Sequence, residues 1–360
     1  MNKYIVIAEG GLGNQIMAYS LWFYLRKKNK SILYLKRNEL KKAFPFSDIT
    51  VANNRLIDAY IYFYKRYDAY IIKQFKINGF LKRLLGIVID YPEWSDYLFL
   101  ADIQTELKQC LMFAPDDNKR NVELIKYMQE CNSVSIHIRR GDYQNNVYWR
   151  LMLGDICDEV YYNKAIDEVT KIINAPVYFI FSDDILWVKK RLKINNAIYI
   201  DWNVGEESYR DIQLMSYCKI NILANSSFSL SAAWLNVNPN PIRIAPSKWS
   251  NFYNDDLSSK CVPKDWIIIH NKKPMVSIII KEDVSEKIIL SILKQKFTDF
   301  EISYLNDKYN NIDSRINSNQ PIGKFHYDFK NCIDPKMFRS KSYLYIWLSN
   351  ILQKEILYTI

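Results

Sequence analysis

The sequence predicts an α/β protein built from parallel β-sheets with helices packed on them. Past residue 133, short runs rich in β-branched and aromatic residues alternate with segments of about 10 to 15 residues whose apolar positions recur at helical spacing. The chain also begins this way, with an apolar run, a helical segment and a second apolar run within 4–35. Strands separated by helices form β-α-β units, which build parallel sheets. We therefore expect two α/β halves.

Each element follows from its local pattern. The predicted strands are YIVIA at 4–8, SILYL at 31–35, SVSIHI at 133–138, PVYFIFS at 176–182, AIYID at 197–201, KINILA at 219–224 and PIRIA at 241–245. Between them, apolar residues at helical spacing predict helices around 12–28, 165–173, 188–192, about 206–217 and about 226–235.

Changes in composition predict the domain boundaries. The stretch 58–100 is dense in tyrosine, phenylalanine, lysine and isoleucine, a texture typical of amphipathic helices packed on a core or of a surface that contacts a membrane or a sugar acceptor. The β-α rhythm restarts after Trp266. We predict an N-terminal half at 1–130, a C-terminal half at 131–270 and a small α/β appendage at 271–360.

Composition limits the partners and the compartment. The formal net charge of +10 suits a nucleotide diphosphate, a nucleic acid or an anionic membrane face, or else reflects a Lys-rich surface. No RNA- or DNA-binding motif accompanies the charge, so we expect no nucleic-acid partner. The six cysteines are scattered without a C-x-x-C, and the apolar N-terminal run is too short for a signal peptide. We expect a cytoplasmic protein, either soluble or peripheral on the inner face of the membrane.

The stretch GGLGNQ at 10–15 follows the first predicted strand and opens the first helix. A glycine-rich turn at such a point brings backbone N–H groups and a helix N-terminus close to a phosphate or sugar. Ile16 stands where G-x-G-x-x-G requires its third glycine, and no P-loop lysine follows. A ligand loop with Gly11, Gly13 and Asn14 and a purely structural turn both fit this pattern.

A second motif, SIHIRRGDY at 135–143, places charged side chains where a buried strand meets its loop. Ligands of parallel sheets bind at these carboxyl ends. Alternate residues of a strand share a face, so His137 and Arg139 point one way and Arg140 the other. One guanidinium can clamp a diphosphate while the other orders the loop by pairing with Asp142. The alternative is an ion pair that only tethers a turn.

Three further polar clusters stand at similar places. In FSDD at 181–184, Ser182 or Asp183 can cap the helix that follows. Asp211 lies on a predicted amphipathic helix, where a lone acid is usually solvated. ANSSFS at 224–229 joins a strand to a helix, and its hydroxyls and N–H groups can hold an anion.

Together these segments resemble the bacterial alpha-1,2-fucosyltransferase family, of the glycosyltransferase family 11 type. The resemblance covers about 1–270 and rests on six segments in the same order: GGLGNQ, HIRRGDY, FSDD, DIQLMSYC, ANSSFS with AAWLN, and IAPSKW. It implies a GT-B-type fold, with two Rossmann-like halves facing a donor cleft. It also implies inverting transfer of L-fucose from GDP-β-L-fucose without a metal, and the chain contains no Asp-x-Asp.

The resemblance assigns roles to individual residues. His137 and Asp211 correspond to guanine contacts, Arg139 to the diphosphate clamp, and the glycine loop to the face of the other half. The residues placed at the donor are Gly11, Gly13, Asn14, His137, Ser182, Asp183, Asp211, Asn225, Ser226, Ser227 and Phe228, and those placed at the chemistry are Arg139, Arg140 and Asp142.

The implied reaction is attack by the 2-hydroxyl of a terminal galactose-like residue on the anomeric carbon as GDP leaves. The acceptor would be a galactoside-terminated glycan or lipid-linked oligosaccharide in lipopolysaccharide or capsule assembly. Preorganised charge on the leaving diphosphate, supplied by Arg139, is commonly the largest catalytic contribution. Asp142 and Glu9 both stand as candidates for the general base.

Two departures from the family favour an alternative function. Leu230, Ser231 and Ala232 stand where the family usually has two tryptophans and a small residue. The tail at 274–307 is similar to the opening of a family 2 glycosyltransferase, but lacks its Pro-x-Tyr-Asn after VSIII. The alternative is therefore a degenerate glycosyltransferase that serves as a non-catalytic binding or scaffold subunit.

Overall fold

The computed structural model describes residues 3–35, 39–45, 47, 55–66, 87–91, 97–251 and 261–270, together with strand segments at 276–280, 300–304, 316–317 and 325–328. Most of the predicted aromatic stretch, at 67–86 and 92–96, lies outside these residues, and so does the apolar C-terminal end at 329–360.

Strands and helices alternate along the chain as predicted. The strands are β1 (Lys3–Ala8), β2 (Lys30–Leu35), β3 (Ile87–Tyr91), β4 (Ser133–Ile138), β5 (Val177–Ser182), β6 (Ala197–Ile200), β7 (Ile220–Ile222), β8 (Ile242–Pro246), β9 (Ile267–Ile269), β10 (Val276–Ile280), β11 (Phe300–Tyr304), β12 (Ile316–Asn317) and β13 (Phe325–Asp328). The described α-helices are α1 (Leu12–Arg26), α2 (Glu39–Ala43), α3 (Arg55–Arg66), α4 (Gln104–Cys110), α5 (Lys119–Glu130), α6 (Gly141–Asn145), α7 (Val147–Leu153), α8 (Glu159–Ile172), α9 (Ile185–Arg191), α10 (Tyr209–Tyr217) and α11 (Ser227–Trp234). Short 3₁₀ turns lie at Leu98–Ile103 and Gly205–Glu207.

The N-terminal half is built on a three-stranded parallel sheet in the order β2-β1-β3. Its apolar side chains include Ile5, Ile7 and Val88, which form one buried cluster with Ile57 and Tyr60 of α3. The described part of the aromatic-rich stretch therefore packs on this sheet, as ordinary amphipathic helices do.

The C-terminal half contains a six-stranded sheet in the order β6-β5-β4-β7-β8-β9. The pairs β4–β5, β5–β6, β4–β7 and β7–β8 are parallel. From β4 the chain adds β5 and β6 toward one edge of the sheet, and from β7 it adds β8 and β9 toward the other edge. This strand order is typical of a Rossmann fold. Its switch point lies between β4 and β7, so the loops that carry HIRRGDY and ANSSFS leave the sheet side by side. The predicted α/β class with two Rossmann-like halves is confirmed.

The appendage forms a separate parallel sheet in the order β12-β11-β10-β13. The parallel pairing of these strands agrees with the predicted α/β appendage, whose predicted helices fall outside the described residues. The predicted resemblance to a family 2 glycosyltransferase covers 274–307, of which β10 and β11 are described and the segment 281–299 between them is not. This resemblance stays a prediction.

Two compact units are present in the chain. One comprises Met1–Ile138, Ile166–Ala245 and Lys260–Ile267, and it contains β1 to β7 together with α1, α10 and α11. The other comprises Arg139–Ala165, Pro246–Ser259 and Ile268–Ile360, and it contains α6, α7 and the tail sheet. The domain division at 131 and 271 stays a prediction.

Two further observations concern the described residues. Cys110, Cys131, Cys157, Cys218 and Cys261 are free thiols. Among the helices that the structure describes, none has the length and hydropathy needed to cross a membrane.

Candidate functional site

The glycine loop packs directly against the start of α11. A side chain at Gly13 would place its Cβ 2.5 Å from the Phe228 nitrogen and 2.6 Å from the Ser227 carbonyl carbon. Real Cβ atoms do not approach backbone so closely, so only glycine fits here. The second residue of α1 and the second residue of α11 are therefore in backbone contact.

Hydroxyl and amide groups join the two helix ends beside this contact. Ser227 Oγ donates to Asn14 Oδ1 at 2.5 Å. Ser231 Oγ, one turn further along α11, donates to the Ser227 carbonyl at 2.7 Å and lies 3.4 Å from the Gly13 carbonyl oxygen. Because Ser227 donates to the Asn14 oxygen, the amide nitrogen of Asn14 is turned toward Gly10, where an added Cβ would lie 2.6 Å away from it.

Gly10 and Gly11 form the exposed part of the loop, and they differ from Gly13. Gly10 has φ of +82°, a conformation that glycine adopts readily, whereas a Cβ at Gly11 would meet nothing within 4 Å. Gln15, which we had not singled out as functional, is fully buried. Its side-chain amide donates to the Gly10 carbonyl and to the Glu39 carboxylate, each at 3.0 Å, and so holds the glycine loop against α2.

Two helix N-termini therefore converge at one point. Each N-terminus carries the positive end of a helix dipole. At each helix start the structure shows one N–H group bonded to the residue that begins the helix, Asn14 to the Gly11 carbonyl and Phe228 to the Ser226 hydroxyl. The first turns of α1 and α11 contain no acidic residue to balance these charges. Ser226 caps α11 by accepting from the Phe228 nitrogen at 3.3 Å, while Gly11 at the start of α1 provides no side-chain cap. The geometry favours an anion beside the contact.

The end of β4 meets the same helix start. His137 is 6% exposed, and its ring stacks on Phe228 with a centroid separation of 5.4 Å and an interplanar angle of 27°. The neighbouring loop residues Asn225 and Ser226 are also buried. The structure thus brings together His137, Asn14 and the ANSSFS loop, which lie far apart in the sequence.

Asp211 lies at the start of α10 and accepts a hydrogen bond from Asn203 Nδ2 at 2.8 Å. Burial disfavours the charged carboxylate and raises the pKa of Asp211 to about 7, while the bond from Asn203 opposes this shift. In the sequence, Asp211 could not be told from an ordinary solvated acid. In the structure its carboxyl group titrates near neutral pH, as groups at functional sites often do.

A directional chain of amides holds Asn203 in place. The Trp202 indole can only donate, and it donates to Asn121 Oδ1 at 2.8 Å. The Asn121 amide nitrogen must then donate onward, to Asp116 at 2.9 Å and to Asn203 Oδ1 at 3.1 Å. Asn203 is left with its amide nitrogen facing Asp211. This chain, absent from our sequence predictions, sets which hydrogen-bonding group reaches the carboxyl.

Charged residues surround the outer end of this chain. Arg210 donates to Glu207 at 2.6 Å and to Asp117 at 2.6 Å, and it also pairs with Asp116, whose side chain is 1% exposed. Lys42 of α2 pairs with Glu207 at 2.7 Å. These ion pairs attach the start of α10 to the segment at 116–117 and to α2.

The residues predicted for the chemistry lie in the other compact unit. Arg139 pairs with Asp142 at 2.8 Å, and its guanidinium lies 5.7 Å from the centre of the Tyr143 ring. The sequence left open which of the two arginines pairs with Asp142. The structure pairs Arg139 with it, so the guanidinium that the family resemblance places at the diphosphate also holds the loop. Both members of the pair are partly exposed.

The prediction that Ser182 or Asp183 caps α9 is wrong. The cap is Asp184, whose carboxylate accepts from the Trp187 nitrogen at 3.1 Å. Ser182 instead accepts from the Asp184 nitrogen at 3.0 Å and closes a turn in front of the helix. The role of Ser182 and Asp183 at the donor stays a prediction.

The family departure at 230–232 is accommodated inside the protein. Leu230 and Ser231 have no exposed surface, and Ala232 is 1% exposed. Small side chains here suit the close approach of α1, since Ser231 lies against Gly13. Across the described residues, no group of three or more His, Cys, Asp or Glu side chains is placed to hold a metal ion.

Comparison with known proteins assigns the family. Residues 2–270 match the sequence model of Glycosyl transferase family 11. The chain belongs to this family. The match includes both Rossmann-like halves and stops where the appendage begins, so the tail is an addition to the family fold.

Named relatives extend the comparison. The chain is 31% identical to alpha-1,2-colitosyltransferase from Escherichia coli, over 74% of this chain and 99% of that protein. It is 27% identical to the O-antigen biosynthesis glycosyltransferase WbnK from Escherichia coli, over 72% of this chain and 98% of that protein. Galactoside 2-alpha-L-fucosyltransferase SEC1 from Bos taurus is 23% identical over 64% of each chain.

Among solved structures, the chain is similar to fucosyltransferase NodZ from Bradyrhizobium, with 12% identity, a TM-score of 0.40 and coverage of 64% of this chain and 92% of that chain. It is also similar to ADP-heptose LPS heptosyltransferase II from E. coli, with 13% identity, a TM-score of 0.38 and coverage of 75% and 90%. The fold assignment itself rests on the family match and on the order of the strands.

Gly13→Ala tests the backbone contact. The methyl group would overlap the Ser227–Phe228 backbone, so we expect the free energy of unfolding to fall by about 1 to 3 kcal/mol in urea denaturation followed by circular dichroism. Gly11→Ala is the matched control, because its methyl enters open space, and should lose less than about 1 kcal/mol. Equal losses in the two variants would contradict the contact.

Asp211→Asn tests the perturbed carboxyl. The folded protein keeps the Asp211 proton up to a pH of about 7, whereas an unfolded chain releases it near about pH 4. The free energy of unfolding should therefore fall as pH rises between these values. The excess stability of the wild type over the variant should shrink across this window and stay constant above it. A difference that does not change with pH would refute the raised pKa.

Proposed function

We propose that this protein transfers L-fucose, or a closely related deoxy sugar, from a GDP-sugar to the 2-hydroxyl of a galactose-like residue in a glycan. The observation that carries the proposal is the convergence of the α1 and α11 N-termini at Gly13 and Phe228. A nucleotide diphosphate supplies the negative charge that this convergence favours. Family membership supports glycosyl transfer as the reaction.

Backbone N–H groups at the two helix starts and the side-chain amide of Asn14 would bind the diphosphate oxygens from two sides. Ser227 donates its proton to Asn14, so in this arrangement it offers a ligand lone pairs and not a donor. Because these hydrogen-bond donors are neutral, the negative charge of the phosphates would be balanced by the helix dipoles and by an arginine. No lysine follows the glycines, which is consistent with this arrangement.

We assign the base-binding end of the site to His137 and Asp211. The buried His137 ring stacks on Phe228, whose backbone lies at the proposed anion site. An ionised Asp211, with one oxygen held by Asn203, leaves the second oxygen for the paired N–H groups of guanine. The amide chain from Trp202 fixes this orientation, which is why these remote residues belong to the proposed site.

In the proposed step the acceptor 2-oxygen forms a bond to the anomeric carbon while the bond from that carbon to the diphosphate oxygen breaks. The electron pair leaves with GDP, and Arg139 stabilises the charge that develops on it. The hydroxyl proton passes to a carboxylate, for which Asp142 and Glu9 remain the candidates. Glu9 directly precedes the glycine loop and helps to raise the pKa of Tyr34, after burial and Asp58.

The relatives favour two donor sugars. One relative is named a colitosyltransferase and others are named fucosyltransferases. Colitose is L-fucose without its 3-hydroxyl, so one site geometry suits both sugars except at that group. The similarity to an O-antigen biosynthesis glycosyltransferase supports an acceptor in surface-polysaccharide assembly, with a lipid-linked oligosaccharide at the inner membrane face as the proposed setting.

A paired donor assay tests the function. Purified protein with a β-galactoside acceptor and either GDP-L-fucose or GDP-colitose should release GDP and form an α-1,2-linked product, detected by mass spectrometry and NMR. We expect transfer from at least one donor, and the ratio of kcat/KM values identifies the natural sugar. Binding of neither GDP-sugar in calorimetry would refute the proposal and leave a non-catalytic subunit as the function.

Arg139→Lys tests the proposed clamp. Lysine keeps the positive charge but not the planar fork that binds two phosphate oxygens. We expect kcat to fall about 10²- to 10³-fold with a much smaller change in the donor KM. Circular dichroism should show an unchanged fold, because the Arg139–Asp142 pair is partly exposed. Wild-type turnover in this variant would exclude Arg139 from the mechanism.

A further inference from the structure

We propose that the exposed aromatic pair Tyr148 and Trp149 on α7 is a platform that stacks on a neutral pyranose ring of the acceptor glycan. The inference rests on the proposed function and adds an acceptor site to it. In the sequence, an acceptor surface is one of the interpretations of the aromatic stretch at 58–100, of which only part is described.

The two rings are presented to solvent at the start of a short helix. Tyr148 is 44% exposed and Trp149 is 38% exposed. Their centroids are 5.0 Å apart at an interplanar angle of 75°, so each ring supports the edge or face of the other. Asn146 caps α7 by accepting from the Trp149 nitrogen at 3.1 Å, which fixes the backbone that carries the pair.

The base of this helix is held tightly. A Cβ at Gly154 would lie 2.6 Å from the Arg150 carbonyl oxygen and 2.7 Å from the Tyr143 carbonyl oxygen, so the turn after α7 accepts no side chain there. Asn251 donates from its backbone to the Met152 carbonyl at 2.8 Å and from its side chain to the Gly154 carbonyl at 3.0 Å. A rigid support lowers the entropy lost when a ligand stacks on the rings.

The platform adjoins the predicted catalytic arginine within the same compact unit. Arg139 lies 5.7 Å from the Tyr143 ring, and the Tyr143 carbonyl reaches the Gly154 turn that ends α7. Only the short helix α6 and one linking residue separate Arg139–Arg140 from α7. An acceptor held on Trp149 would therefore lie near the residue that we place at the leaving diphosphate.

The chemistry of the segment suits a neutral sugar. Asp142 is the only charged side chain in 141–149, and its charge is paired with that of Arg139. Exposed amides at Asn145 and Asn146 can bind hydroxyl groups beside the rings. The exposed part of two aromatic side chains amounts to about 200 Å², whereas a stable protein contact needs about 800 Å² per partner. One pyranose ring fits this area.

Steady-state kinetics test the platform. Trp149→Ala should raise the acceptor KM about tenfold while the donor KM, GDP affinity and hydrolysis of the donor without acceptor stay unchanged. Trp149→Phe keeps a stacking face and should stay within about twofold of the wild type. Tyr127→Ala is the matched control, because Tyr127 is 43% exposed on α5, outside the proposed site.

An acceptor KM in Trp149→Ala equal to that of the wild type would overturn the proposal. A tenfold loss of GDP affinity alongside the rise in acceptor KM would also overturn it, because Trp149 would then belong to the donor site or support the fold. Titration with methyl β-galactoside alone separates this test from the function itself. The indole N–H resonance of Trp149, assigned by its loss in Trp149→Phe, should shift to saturation even if no sugar is transferred. An unshifted resonance contradicts the platform, as does a change of oligomeric state in Trp149→Ala.

Discussion

The rest of the site depends on the backbone contact between Gly13 and the Ser227–Phe228 peptide. A side chain at position 13 would lie 2.5 Å from the Phe228 nitrogen, so the contact exists only because residue 13 is glycine. It brings two helix N-termini together without an acidic residue in either first turn. Positive dipole ends that converge in this way are stabilised by an anion. The Asn14–Ser227 hydrogen bond and the Ser231 hydroxyl hold the junction from its sides.

Around this junction the two halves contribute different chemistry. The glycine loop supplies neutral backbone and amide donors. The C-terminal Rossmann-like half supplies the stack of His137, near the end of β4, on Phe228 of α11, and it carries Asp211 on α10. The amide chain from Trp202 through Asn121 to Asn203 sets the hydrogen bond that Asp211 receives. Orientation by remote residues is how a binding site keeps its geometry before a ligand arrives.

Much of the fold could be predicted from the sequence, because strand and helix periodicity depends on local pattern. HIRRGDY and ANSSFS could each be placed at the carboxyl end of a strand, where ligands of parallel sheets bind. That these two strands are neighbours is seen only in the sheet order. The Gly13 contact could not be predicted, since its partner lies more than 200 residues away. The amide chain was missed because Asn121 and Asn203 are 82 residues apart. The prediction of the α9 cap was wrong by one residue, because the local turn brings the Asp184 carboxylate within reach of the first helical N–H groups.

The central claim is that the converged helix ends bind a nucleotide diphosphate. Calorimetric titration of the wild-type protein with guanosine, GMP and GDP, at two salt concentrations, tests it most directly. We predict that affinity rises with each phosphate, that GDP binds most tightly, and that added salt weakens GDP binding more than guanosine binding. Equal affinity for guanosine and GDP at both salt concentrations would contradict the claim.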